Sequence, residues 1–155
     1  LLRKFPDAQF LCIGGIPSGM ERYAEGLKRF AVDLNLDKSC HWLGDRSDVP
    51  QLIASLDVLV LSSGFGEGFP NVLGEAMAAG VPCVTTDVGE SATIVGDSGV
   101  VVEVGKPAVL ASAIMGYAQM HKVEREKQGF MARERIKEHF SIEKIGTEYL
   151  ALYSQ

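Results

Sequence analysis

The stretch from Asp57 to Pro82 constrains the fold more than any other part of this chain. It begins with Asp57-Val58-Leu59-Val60-Leu61, a short, apolar, β-branched run that reads as a strand buried on both faces. A loop follows with glycine or proline at Gly64, Gly66, Gly68 and Pro70. A helix is then predicted to open near Asn71 and to stop at Gly80, with Pro82 just beyond. A buried strand, a glycine loop and a helix N-terminus in that order belong to a parallel α/β sheet. Ligands of such sheets gather outside the C-terminal ends of the strands.

The same alternation runs along the rest of the chain. Strands are predicted over 8–13, 39–43, 57–62, 83–86 and 99–102. The helix over 18–34 carries Tyr23, Leu27, Phe30 and Leu34 at the spacing of a core face. Asp48 is placed to cap the next helix, with Leu52, Ile53 and Leu56 turned inward. Further helices are predicted over 91–95, 107–120 and 122–139. Ser141 caps a last one whose apolar stripe is Ile142, Ile145, Tyr149 and Leu150. The expected fold is α/β, a Rossmann-like parallel sheet with helices on both faces, forming a single domain over residues 1–155. Leu1-Leu2-Arg3-Lys4-Phe5-Pro6 reads as the last turn of a helix. The chain is therefore expected to be a fragment, with one strand and most of one helix lost upstream.

Composition narrows the function classes. A hydrophobic content of 46% and a charged content of 23% fit a water-soluble domain. The net charge of −5 gives no basic face for nucleic acid and argues against strong attachment to an anionic membrane. No apolar run approaches the roughly 20 residues of a transmembrane helix. Cys12, Cys40 and Cys83 are too few and too scattered for a disulfide framework or a metal site, and read as small apolar residues in a reducing cytosol. His41 reads as a satisfied core histidine. The run Glu124-Arg125-Glu126-Lys127 reads as a solvated helix face.

Chemistry concentrates in the loop and the helix that follows it. The first amides of the Asn71 helix have no partners within the helix and carry the positive end of its dipole, so phosphate oxygens bind there without a lysine. Glu67, just before those amides, would repel a pyrophosphate but suits sugar hydroxyls or a ring developing positive charge. Glu75 lies one turn deeper, where its carboxylate can accept both hydroxyls of a ribose. Taken alone, Glu75 is better explained as a charge complementing the dipole, and the glycines fit a plain strand-to-helix turn. A dinucleotide fingerprint is not met, because the third glycine is missing at its offset. Gly14 and Gly15 follow a strand as a nucleotide loop does, and fit a simple flexible connection as well. Arg46 is met at least equally by Asp45 or Asp48, and Glu90 by the start of the next helix.

Glu67-Gly68-Phe69-Pro70-Asn71 with Glu75 resembles the paired-glutamate motif of family 4 glycosyltransferases, retaining enzymes of the GT-B fold. Phe10-Leu11-Cys12-Ile13-Gly14-Gly15, Trp42-Leu43-Gly44-Asp45-Arg46-Ser47-Asp48-Val49, Val84-Thr85-Thr86-Asp87-Val88-Gly89-Glu90 and Gly99-Val100-Val101-Val102 are similar, in the same order, to stretches of that family's C-terminal, donor-binding domain. The resemblance implies a nucleotide diphosphate-sugar donor and retaining transfer of a hexose to an acceptor hydroxyl, in the biosynthesis of a polysaccharide or glycolipid. It places Glu67 near the donor sugar and Glu75 on the ribose. Backbone amides of Gly68, Phe69, Pro70-Asn71, Val72 and Leu73 would hold sugar hydroxyls and phosphates, with Arg46 beside the base. It also implies no metal and no other cofactor, and an N-terminal acceptor domain elsewhere in the parent chain. The expected location is the cytoplasm, with any attachment to the inner membrane face left to that N-terminal domain. The family's phosphate-neutralising arginine and lysine lie upstream of Leu1, so this chain alone is expected to bind nucleotide weakly and to be inactive. A non-catalytic nucleotide-binding module and a nucleotide-sugar epimerase of the same fold are the rival readings.

Overall fold

The computed structural model describes residues 1–154 and divides into two compact units, Leu1–Val49 and Pro50–Gln155. In the first unit, β1 (Phe10–Ile13) and β2 (Cys40–Gly44) pair in parallel, joined by α1 (Glu21–Asp33). Phe10 lies opposite Cys40 and Cys12 opposite Trp42, and the register slips between Cys12 and Ile13. Asn35, at φ 56, ends α1 in a Schellman turn: its amide reaches the Val32 carbonyl, and the Leu36 amide reaches Ala31.

The expected core face of α1 is not buried. Tyr23 is 65% exposed and Phe30 60%, while Leu27 and Leu34 are also open; only Ala31 is buried. A two-stranded sheet presents too little apolar surface to cover a helix of 13 residues. His41 is corrected for the same reason. It is exposed, with Nε2 at 2.7 Å from Gln9 Oε1, rather than packed in a core. Cys12 and Cys40 are half-buried, and burial followed by the nearby Cys40 thiol pushes Cys12 upward in pKa.

The second unit holds the larger core. Its elements are α2 (Val49–Ala54, starting at the boundary), β3 (Leu59–Leu61), α3 (Asn71–Ala78), β4 (Cys83–Thr86) and α4 (Ser91–Val95). A short 3-10 turn (Gly96–Ser98), β5 (Val100–Val102), α5 (Pro107–Gln119), α6 (Lys122–His139) and α7 (Ile142–Tyr153) complete it. The sheet order is β3-β4-β5, all parallel, with Leu59 opposite Cys83 and Val84 opposite Val100. Central β4 is buried along its whole length, whereas β3 lies at an edge and leaves Val60 38% exposed. The run Asp57–Leu61, expected from its sequence to be buried on both faces, is therefore only partly covered; the strand buried along its whole length is β4.

Helices α3, α4 and α5 pack on β4, and α6 packs on α3. Leu73, Ala76 and Met77 of α3 are fully buried with Val84, Ile94 and Val95. Burying side chains the size of Leu73 and Met77 is worth about 1.5–3 kcal/mol each. Gly80, at φ +78, ends α3: its amide reaches the Met77 carbonyl while the Val81 amide reaches Ala76. The middle of α6 meets this turn so closely that a Cβ at Gly129 would collide with the Gly80 carbonyl oxygen. At the other end of α3, the Phe69 ring meets Phe140 edge-on, with centroids 5.6 Å apart. Ser141 caps α7 through its hydroxyl, 3.2 Å from the Lys144 amide, and no residue of α7 is buried. Among the described residues no helix is long and apolar enough to cross a membrane.

Candidate functional site

Glu67 sits half-buried in the loop between β3 and α3. Its carboxylate is not free to swing, because the Ser63 hydroxyl donates to Oε1 at 2.6 Å. Ser63 is fixed in turn by Thr86, whose Oγ1 donates to the Ser63 carbonyl at 2.6 Å. Thr86 ends β4 and is 5% exposed. A hydroxyl at that depth requires a partner, and it finds one in the loop backbone. The polar end of β4 therefore sets the path of the loop.

The turn from β4 into α4 holds the loop from another side. The Glu90 amide donates to the Gly68 carbonyl at 3.0 Å. Gly89 has φ +55, and a Cβ there would come within 2.6 Å of the Gly68 oxygen and closer still to that of Glu67. Only glycine fits both that backbone angle and that approach. The Glu90 side chain makes no cap on α4, so this residue contributes its amide.

Helix α3 opens without a side-chain cap. Pro70 stands at the N-cap with φ −70 and ψ 97, and its carbonyl accepts from the Leu73 amide at 3.0 Å. The tip thus keeps the anion-attracting character of an open helix start. Leu73 sends its side chain into the core and gives its amide to Pro70, so the amide expected to hold a ligand is already taken, while Asn71 is exposed and Val72 half-buried. The Phe69 side chain is committed to Phe140. Glu75 is exposed one turn along the helix and, among the described residues, takes no hydrogen bond from the protein. The structure thus gathers the loop from Glu67 to Leu73 with the open tip of α3, and sets Glu75 on the same short helix.

Gly14, Gly15 and Arg46 belong to the first unit, where the ends of β1 and β2 meet. The Gly14 amide donates to the Gly44 carbonyl at 3.0 Å, and a Cβ at Gly15 would run into the Asp45 carboxylate. Arg46 makes a fork with Asp48, Nε to Oδ1 at 2.8 Å and Nη2 to Oδ2 at 2.7 Å. That hydrogen bond, with the charge attraction behind it, raises Arg46 and lowers Asp48 from their usual pKa values. Asp48 is thereby taken by Arg46.

Three residues of this arrangement escape a reading of the sequence: Ser63, Thr86 and Gly89. A polar residue ending an otherwise buried strand, followed three positions later by glycine, is the signal that could have found the last two.

Residues 1–119 match a family profile described as Glycosyl transferases group 1. The chain is 34% identical over 155 residues to the N-acetyl-alpha-D-glucosaminyl L-malate synthase of Bacillus anthracis, a match covering 95% of this chain and 37% of that protein. Among solved structures it is similar to HepE of Anabaena in complex with UDP and glucose, at a TM-score of 0.86 and 25% identity over 94% of this chain and 40% of the other. The C-terminal domain of the group 1 glycosyl transferase LpcC from Francisella tularensis shares the fold, at a TM-score of 0.76 and 23% identity over 91% of this chain and 74% of that one. The chain spans well under half the length of the first two.

Proposed function

Since this chain belongs to the Glycosyl transferases group 1 family, we propose that it is the donor-binding part of a retaining hexosyltransferase of the GT-B fold. The observation that carries this reading is the placement of a tethered carboxylate, Glu67, immediately before the uncapped start of α3. In the proposal the α3 amides receive the pyrophosphate and take up the charge that builds on the leaving group as the glycosidic bond breaks. Preorganised donors of this kind are among the largest contributions an enzyme makes. Glu67 orients the hexose and stabilises positive charge at its ring, and Glu75 accepts the ribose hydroxyls. Gly68, Phe69, Pro70, Asn71 and Val72 present backbone to the sugar and phosphates. Gly14, Gly15 and Arg46 are assigned to nucleotide binding on sequence grounds alone. No metal takes part. The complex of Anabaena HepE with UDP and glucose supports a nucleotide-sugar ligand of this class. Acceptor recognition is assigned to the remainder of the parent protein, working in the cytoplasm.

Calorimetry with UDP, GDP and ADP and with their glucose esters tests the donor reading. Glu67→Ala is expected to remove the affinity difference between the sugar-bearing and plain nucleotides. Glu75→Ala should weaken both alike, and a chelator should change nothing. Indifference of the sugar-bearing ligand to Glu67→Ala would sink the assignment. Retention is tested on the parent protein by the anomeric configuration of the product.

A further inference from the structure

We infer that Ser63 is a positioning residue that holds the Glu67 carboxylate away from the tip of α3, keeping the tip open for phosphate and turning Glu67 toward the sugar. The inference rests on the donor reading above. Glu67 lies three residues before the Pro70 N-cap, and α3 has no side-chain cap of its own. An anion so near an open helix start is drawn onto its amides, and a carboxylate is among the best groups for closing one. The protein thus carries its own competitor for the phosphate site. What keeps the two apart is the Ser63 hydroxyl on Oε1 at 2.6 Å, a charge-assisted bond. Ser63 can act as an anchor because Thr86, buried at the end of β4, fixes its carbonyl at 2.6 Å and also reaches the Leu61 carbonyl at 3.4 Å. The Glu67 backbone is held separately, by the close approach of Gly89 and the Glu90 amide on Gly68. With backbone and Oε1 both engaged, Oε2 takes no hydrogen bond from the described residues and is the oxygen left to meet a sugar hydroxyl.

The experiment compares wild type, Ser63→Ala, Ser63→Thr, Glu67→Gln and the double variant Ser63→Ala/Glu67→Gln in the 155-residue chain. Binding of UDP, GDP, ADP and their glucose esters is measured by calorimetry, and the melting temperature of each protein is recorded. Ser63→Ala is expected to weaken the preferred nucleoside diphosphate several-fold and its glucose ester about tenfold, without lowering the melting temperature, because the released carboxylate closes α3. Removing that charge in the double variant should restore nucleoside diphosphate affinity to the level of Glu67→Gln alone. Ser63→Thr, which keeps the hydroxyl, should stay close to wild type. A merely structural Ser63 predicts a lower melting temperature and no recovery in the double variant, and either result overturns the inference. So does wild-type affinity in Ser63→Ala. Failure of wild type to bind any of the six ligands brings down the donor reading itself, and this inference with it.

Discussion

The Arg135 guanidinium on α6 closes the C-terminal end of α4, its Nε donating to the Ile94 carbonyl at 2.8 Å and its Nη2 to the Thr93 carbonyl. A cation at a helix C-terminus satisfies carbonyls that the helix leaves unpaired and complements its dipole. Arg135→Ala is expected to lower the unfolding free energy by about 1.5–3 kcal/mol, the range for hydrogen bonds involving a charged group. Arg135→Lys keeps the charge but cannot reproduce the fork, so its loss should fall between wild type and alanine. Urea unfolding measures this through the midpoint at unchanged slope.

Two glycines in helices separate propensity from packing. Gly116 in α5 has open space where a Cβ would stand, whereas Gly129 in α6 faces the Gly80 carbonyl. Gly116→Ala is expected to stabilise by up to about 1 kcal/mol through helix propensity. Gly129→Ala gains the same propensity, but it forces backbone away from backbone, and overpacking costs about 1–3 kcal/mol. The second substitution should therefore destabilise the protein. Opposite shifts in melting temperature are the expected outcome.

Cys83 supplies a pH dependence with a definite sign. Burial pushes its thiol from the ordinary 9.0 up to about 12. Above pH 9 the unfolded chain releases this proton while the folded chain retains it, so the folded state binds more protons and stability falls as pH rises. The contribution is fully present below pH 9 and is lost progressively up to about pH 12, at a slope approaching about 1.4 kcal/mol per pH unit. Cys83→Ala should flatten that part of the stability curve. In native protein near pH 8, Cys83 should react with thiol reagents only as fast as its surroundings open.

The Phe69–Phe140 pair links the candidate loop to the end of α6. A double-mutant cycle with Phe69→Leu and Phe140→Leu is expected to give a coupling of about 0.5–1.5 kcal/mol, as for other edge-on aromatic pairs. A coupling near zero would show that the ring contact does not tether the loop.

Most of the architecture was legible because punctuation and periodicity agreed. Cys83–Thr86, Ser91–Val95 and Lys122–His139 appear as the sequence predicts them, each bounded by proline, glycine or a capping position. The core was harder to read. Tyr23, Leu27 and Phe30 keep helical spacing yet stay exposed, since periodicity reports a face and not what covers it. Helix α6 hides its packing face in a different way. Its charge run Glu124–Lys127 reads as a solvated face, and the packing face beside it goes unnoticed because it is made by Gly129 and Ala132, whose small size lets backbones approach and leaves no apolar stripe to detect. Glu67 and the α3 start were visible from the glycine loop. The bonds from Thr86 to Ser63 and from Ser63 to Glu67 were not, because single hydroxyl contacts leave no periodic trace.

Helix α6 touches α3 at both extremities, through Gly129 at the Gly80 turn and through Phe140 at the Phe69 ring. It lies along its neighbour like a splint bound at two points. The start of α3 is consequently registered against a second rod as well as against the sheet beneath. A slide of one rod along the other must break a backbone-tight contact beyond one end of α3 or an aromatic contact beyond the other.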